Sequence, residues 1–278
     1  MQQSIRPDQI PSNLTLLWKG FTKRCDNAEL PASRIRVEDF SFDRLKLRRY
    51  NACCGFEQDV LSLSYLFVAT QPLQLMLLTD PTTPIKPLGM IHMGVSFHQH
   101  APLSLEQTYH FELTVGKQER TEMGLEFELV GSFTDGHQEL AGYRSRCLIK
   151  MPAIGERRRR RRAARESKIE QQWQAGSPIE LDPQRARGYA RVSGDYNPIH
   201  LHKWTAKPFG FEAPIAHGMY MVARLLAEIK TPLKSANFDF KRPALLPING
   251  RAELGQGAIR LLNEAGKPLV EGQFEPLD

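Results

Sequence analysis

A weak internal duplication constrains this chain more than any other feature. Tyr50 and Gly55 share the spacing of Tyr189 and Gly194, 139 residues further on, and Phe97 and Pro102 share the spacing of Phe238 and Pro243, 141 residues on. Four anchors in one order, at nearly one offset close to half the chain, indicate two copies of one structural unit. The segments that follow them agree. In the first half Tyr109, Phe111, Leu113 and Val115 alternate with polar residues, Phe127 and Leu129 do the same, and 143–150 reads as a further strand, so half-buried antiparallel strands are expected. Ahead of them, the apolar stretch 73–78 is closed by Asp80 and Pro81 and fits a short helix under a sheet. In the second half Met219, Met221, Val222, Leu225, Leu226 and Ile229 keep the three-four spacing of a buried amphipathic helix over 219–229. Each unit is therefore α+β, a helix wrapped by a curved antiparallel sheet, and two units joined edge to edge form one continuous sheet that removes exposed edges.

Composition narrows the remaining possibilities. With 278 residues, 41% of them apolar, two units of ordinary size can each fill a core. No apolar run reaches the roughly 18 residues that span a bilayer, and 1–18 lacks the basic-then-apolar order of a secretory signal, so a cytoplasmic location is expected. Cys25, Cys53, Cys54 and Cys147 form no Cys-x-x-Cys pair, which favours free thiols over disulfides or zinc. His98 and His100 alternate, but no carboxylate or third histidine is close in sequence, so surface residues are expected there. The net charge of +6 resides in six consecutive arginines at 157–162, without which the chain is formally neutral. Such a run is hard to bury and reads as a solvated connection, with nucleic-acid binding as the lesser alternative. The expected division is a first unit over 1–152, an arginine-rich linker over 153–166 and a second unit over 167–278.

Chemistry concentrates after the second anchor tyrosine. Gly194, Asn197 and Pro198 are turn formers, so Asp195 and His200 are expected on a tight irregular loop rather than on a helix face. An aspartate and a histidine five residues apart can share one water, the imidazole moving its proton and the carboxylate orienting it. A capped helix end with a satisfied polar histidine would explain the same residue types.

The order Tyr189, Ser193, Gly194, Asp195, Asn197, Pro198, Ile199, His200 and Ala206, continued by Pro214, His217, Gly218 and Met219, resembles the MaoC-like (R)-specific enoyl-CoA hydratases. The resemblance implies a double hotdog fold and hydration of a trans-2-enoyl thioester to the (R)-3-hydroxyacyl thioester, or the reverse dehydration. It assigns catalysis to Asp195 and His200, with Asn197 holding their loop. It places the thioester oxygen at the backbone N–H of Gly218, which opens the 219–229 helix at the positive end of its dipole, with Ser193 and His217 as further substrate-binding candidates. Lys241 and Arg242 are candidates for coenzyme A phosphates. No metal or other cofactor is implied beyond the coenzyme A or acyl carrier protein within the substrate, and the chain is compatible with a homodimer. Aligning Gly55 with Gly194 puts Phe56 at the place of Asp195 and Leu61 at that of His200, so the first unit is expected to lack a site and either to line an acyl tunnel or simply to fill core. A binding protein that keeps the fold without turnover is the other reading of this site.

Overall fold

The structure is a computed structural model that describes residues 2–23, 28–151 and 172–277. The arginine run, Cys25 and the linker at 153–166 therefore lie outside the described residues. The first half runs β1 (Gln2–Ile5), α1 (Asn13–Thr22), β2 (Arg34–Phe40), α2 (Arg44–Cys54), α3 (Leu63–Ala69), α4 (Gln71–Thr79), β3 (Ile91–Gln99), β4 (Tyr109–Thr121), β5 (Gly124–Thr134) and β6 (Glu139–Lys150). The second runs β7 (Gln174–Leu181), α5 (Pro183–Ser193), α6 (Lys203–Ala206), α7 (Gly218–Leu226), β8 (Leu233–Phe240), β9 (Ile248–Gly255), β10 (Ala258–Leu262) and β11 (Pro268–Pro276).

All the strands form one sheet in the order β1-β2-β4-β5-β6-β3-β8-β11-β10-β9-β7. Leaving β1 aside, the order on one side of the β3–β8 seam mirrors that on the other, which makes the duplication a double hotdog. The seam is antiparallel, and at its centre Ser96 pairs with Asn237, Val95 with Phe238 and Phe97 with Ala236. Ser96 and Asn237 are separated by the same offset as Phe97 and Phe238, so a pseudo-twofold axis passes through that pair. Joining the units removes the β3 and β8 edges; the expectation of an edge-free sheet fails at its ends, where β1 and β7 remain.

The other anchors have an equally local cause. Asp43 caps α2 by accepting from Lys46 N–H, and Asp182 caps α5 by accepting from Arg185 N–H. Gly55 and Gly194 end those helices in the left-handed region, at φ 90° and 78°. Five residues before each glycine stands a fully buried tyrosine, and the rings of Tyr50 and Tyr189 meet 6.1 Å apart where α2 packs against α5.

The helix expected at 73–78 is α4, the second of a broken pair. Thr70, whose hydroxyl donates to Leu66 O, and Pro72 in the first turn of α4 separate it from the apolar α3. The helix expected over 219–229 is α7, and its last turn loosens beyond Leu226. Between α2 and α3 the first unit spends only 55–62, where the second spends 194–217 between α5 and α7. In that shorter connection Phe56 and Leu61 pack, partly buried, against the core. Among the described residues no helix is long and apolar enough to cross a membrane.

Candidate active site

The longer connection, 194–217, leaves α5 through Gly194 and turns at once. Asp195 Oδ1 accepts the backbone N–H of Asn197 at 3.1 Å, and Asn197 Oδ1 accepts that of Ile199 at 3.4 Å, capping a single 3₁₀ turn over Pro198–His200. The two nested turns aim Asp195 and His200 inward from irregular backbone, as expected from the sequence. Side-chain ligand atoms of Asp195, His200 and His217 all lie within 4.8 Å of one another. Asp195 stays partly accessible, while His200 and His217 are buried.

Hydrogen bonds fix the tautomer of each ring. His200 Nδ1 lies 2.8 Å from Ile215 O and, facing a carbonyl, must carry the proton, so Nε2 presents a lone pair. His217 Nε2 likewise donates to Asp195 O at 3.0 Å, and its Nδ1 has no partner. The two imidazoles stack with centroids 3.8 Å apart, His217 lies against Tyr189 at 5.0 Å, and Tyr189 stacks on Tyr220 of α7 at 4.7 Å. Stacking bears on a metal as well: an ion in the plane of one ring lies well off the plane of the other, so this Asp-His-His set is a poor ligand cage.

Burial works against charge throughout the site. It pushes His217 down to about 3, with the neighbouring His200 adding to the effect, and lowers His200 although Asp195 opposes the shift. Both rings are neutral at pH 7. Burial also works against the charged form of Asp195, yet its carboxyl lies below the ordinary value, because His217, His200 and the Asn197 N–H favour the ionised form.

Gly218 is the first residue of α7, so its N–H has no acceptor within the helix. A Cβ there would meet two ring carbons of Phe240 at 2.8 Å, so the glycine is required for β8 to pack against the helix start. Ser193 and His217, the further substrate-binding candidates, both make hydrogen bonds that support the loop. Ser193 Oγ donates to Tyr189 O and accepts Asp195 N–H, and His217 holds Asp195 O. Lys241 is committed to Asp239 and Glu271, at 3.3 and 3.1 Å, which weakens its candidacy as a phosphate anchor. Arg242 donates to Pro268 O at 2.5 Å and makes no ion pair among the described residues. His98, at the surface, pairs with Glu139, a carboxylate brought beside it by strand pairing rather than by sequence.

One residue near the site gave no signal in the sequence. His92 on β3 is held neutral by burial, which pushes it down to about 4 against the attraction of Asp195. It bonds Ser145 Oγ at 3.0 Å, stacks on Phe67 and meets the edge of Phe240 at 5.0 Å. The first unit thus supplies the wall behind Phe240, and only the seam register puts it there.

The chain resembles known proteins in both sequence and fold. Residues 164–245 match the MaoC-like domain. The chain is 27% identical over 238 residues to 3-hydroxyacyl-thioester dehydratase X of Mycobacterium tuberculosis, covering 82% of both chains. The crystal structure of HtdX from that organism superposes with a TM-score of 0.75 at 25% identity, over 88% of this chain and all of the other. A MaoC-like dehydratase from Phytophthora capsici shares the fold, with a TM-score of 0.65 at 20% identity over 90% of this chain and 96% of the other. The second unit carries the match to the MaoC-like domain, and the chain as a whole is similar in sequence and in its double-hotdog fold to the 3-hydroxyacyl-thioester dehydratase HtdX.

Proposed function

We propose that the protein is a hydro-lyase that interconverts (R)-3-hydroxyacyl and trans-2-enoyl thioesters at Asp195 and His200. The observation that carries this reading is the bond from His200 Nδ1–H to Ile215 O, which leaves a neutral Nε2 lone pair beside an ionised Asp195 carboxylate at the start of α7. In hydration, a water held between these two groups adds through oxygen to C3 of the enoyl thioester. His200 and Asp195 take a proton from that water and return one to C2, so the sum is the enoyl thioester plus water. The charge that develops toward the thioester oxygen meets the Gly218 N–H and the positive end of α7. Dehydration follows the same path reversed. The relatedness to a protein named for 3-hydroxyacyl-thioester dehydration supports the reaction class.

The test uses purified protein with (R)- and (S)-3-hydroxyacyl-CoA of short and medium chain, and with the corresponding acyl carrier protein thioesters. Formation of the conjugated enoyl thioester from the (R) isomers alone supports the proposal, and the preferred carrier and chain length define the substrate. Turnover of the (S) isomers, or of none of the substrates, contradicts it.

A further inference from the structure

The peptide bond between Gly194 and Asp195 is held from both sides. Its N–H, on Asp195, donates to Ser193 Oγ at 3.2 Å, within the second unit. Its carbonyl, on Gly194, accepts Nδ2 of Asn13 at 3.0 Å, across 181 residues of sequence. Asn13 is the first residue of α1, which precedes β2, the first strand with a counterpart in the second unit. We infer that Asn13 is a positioning residue for Asp195, a clamp from the N-terminal helix onto the catalytic loop.

Three observations support the assignment. A Cβ on Gly194 would lie 2.1 Å from Asn13 Nδ2, so glycine at 194 serves both the left-handed turn and the close approach of the amide. Asn13 Oδ1 is buried and has no partner, so the bond to Gly194 O is what orients this side chain; reversing the amide would set two oxygens against each other. The helix that carries Asn13 is itself anchored. Ser12 Oγ caps its start by accepting Thr15 N–H, it packs along α4, and Lys23 just past its end donates to Leu78 O and Asp80 O at 2.8 and 2.7 Å. The helix therefore links the central helices of the first unit to the loop of the second. His217 pins Asp195 O on the following peptide, so both peptide planes flanking the aspartate are fixed, and Asn13 supplies the constraint that arises outside the second unit.

The inference rests on the proposed role of Asp195 for its effect on rate, and on geometry alone for its effect on the loop, so the experiment reads both. Asn13→Leu removes the donor at similar size, and Asn13→Asp replaces the amide with a carboxylate that repels Gly194 O. Lys23→Met cuts the far tether of the same helix and serves as the stability control. Expected for both Asn13 variants are a fall in kcat of about tenfold or more with KM little changed, and faster hydrogen exchange at the Asp195 amide. Lys23→Met should lower Tm while leaving kcat and that exchange rate at wild-type values well below the transition. Wild-type exchange at Asp195 in Asn13→Leu overturns the clamp whether or not the protein turns over any thioester. So does a kcat loss no larger than that of Lys23→Met. Wild-type inactivity with faster exchange in the variant would instead count against the proposed reaction and leave the clamp standing.

Discussion

Gly218→Ala is the perturbation that separates the geometry at the start of α7 from general stability. The added Cβ would meet two ring carbons of Phe240 at 2.8 Å, where ordinary contact begins at 3.4 Å, so something must move by about 0.6 Å. Phe240 has little freedom to yield, because His92 packs against it in a T-shaped contact and Phe67 is stacked behind His92. Much of the displacement therefore falls on the first turn of α7, where the proposed function puts the thioester oxygen against the Gly218 N–H. Overpacking of this kind costs about 1–3 kcal/mol of stability, and misplacing one oxyanion donor by several tenths of an ångström is expected to lower kcat roughly 10- to 100-fold. The assay is loss of enoyl-thioester absorbance, run well below the Tm of each variant, with Phe240→Leu and the double variant alongside. Relieving the collision should restore most of the lost kcat in the double variant. Wild-type kcat in Gly218→Ala, or a loss that Phe240→Leu does not relieve, would refute the reasoning.

Other expectations follow from buried polar groups. Because His200 is held below its ordinary 6.5, kcat/KM should be level near neutrality and fall on the acid side, below pH 6.5; a fall beginning above pH 7 would contradict a neutral His200 base. His92 and His217, held to about 4 and about 3, bind protons less readily folded than unfolded, so stability should decline as pH drops below 6.5. Between its two values each contributes about 1.4 kcal/mol per pH unit, measurable by urea unfolding at a series of pH values. Tyr143→Phe removes a buried hydroxyl bonded to Thr70 Oγ1 at 2.7 Å and Gln74 Nε2 at 3.0 Å, and should cost about 1–3 kcal/mol by the same method without changing kcat.

What the sequence disclosed, it disclosed through local physics. Gly55 and Gly194 are legible because a left-handed helix end favours glycine, and Tyr50 and Tyr189 because each fills the axis between the units. The turn that carries Asp195 and His200 is legible because Asp195, Asn197 and Pro198 build it within a few residues. The remaining partners are set by tertiary register. Ile215 O fixes the His200 tautomer as a main-chain atom whose residue type says nothing of its role. His92 reaches the site through the seam, and Asn13 through a helix outside the repeat. Ser193 and His217 were legible as part of the site, but the bonds by which Ser193 Oγ and His217 Nε2 hold the loop were not, because their partners are main-chain atoms.

The central claim is that Asp195 and His200 act together on one water. The most direct measurement is hydration of a medium-chain trans-2-enoyl thioester by the wild type, Asp195→Asn and His200→Ala, with far-ultraviolet circular dichroism to establish that all three are folded. The account predicts turnover by the wild type and losses of about 10²–10⁴-fold in kcat in each variant. Folded variants that retain wild-type kcat would contradict it.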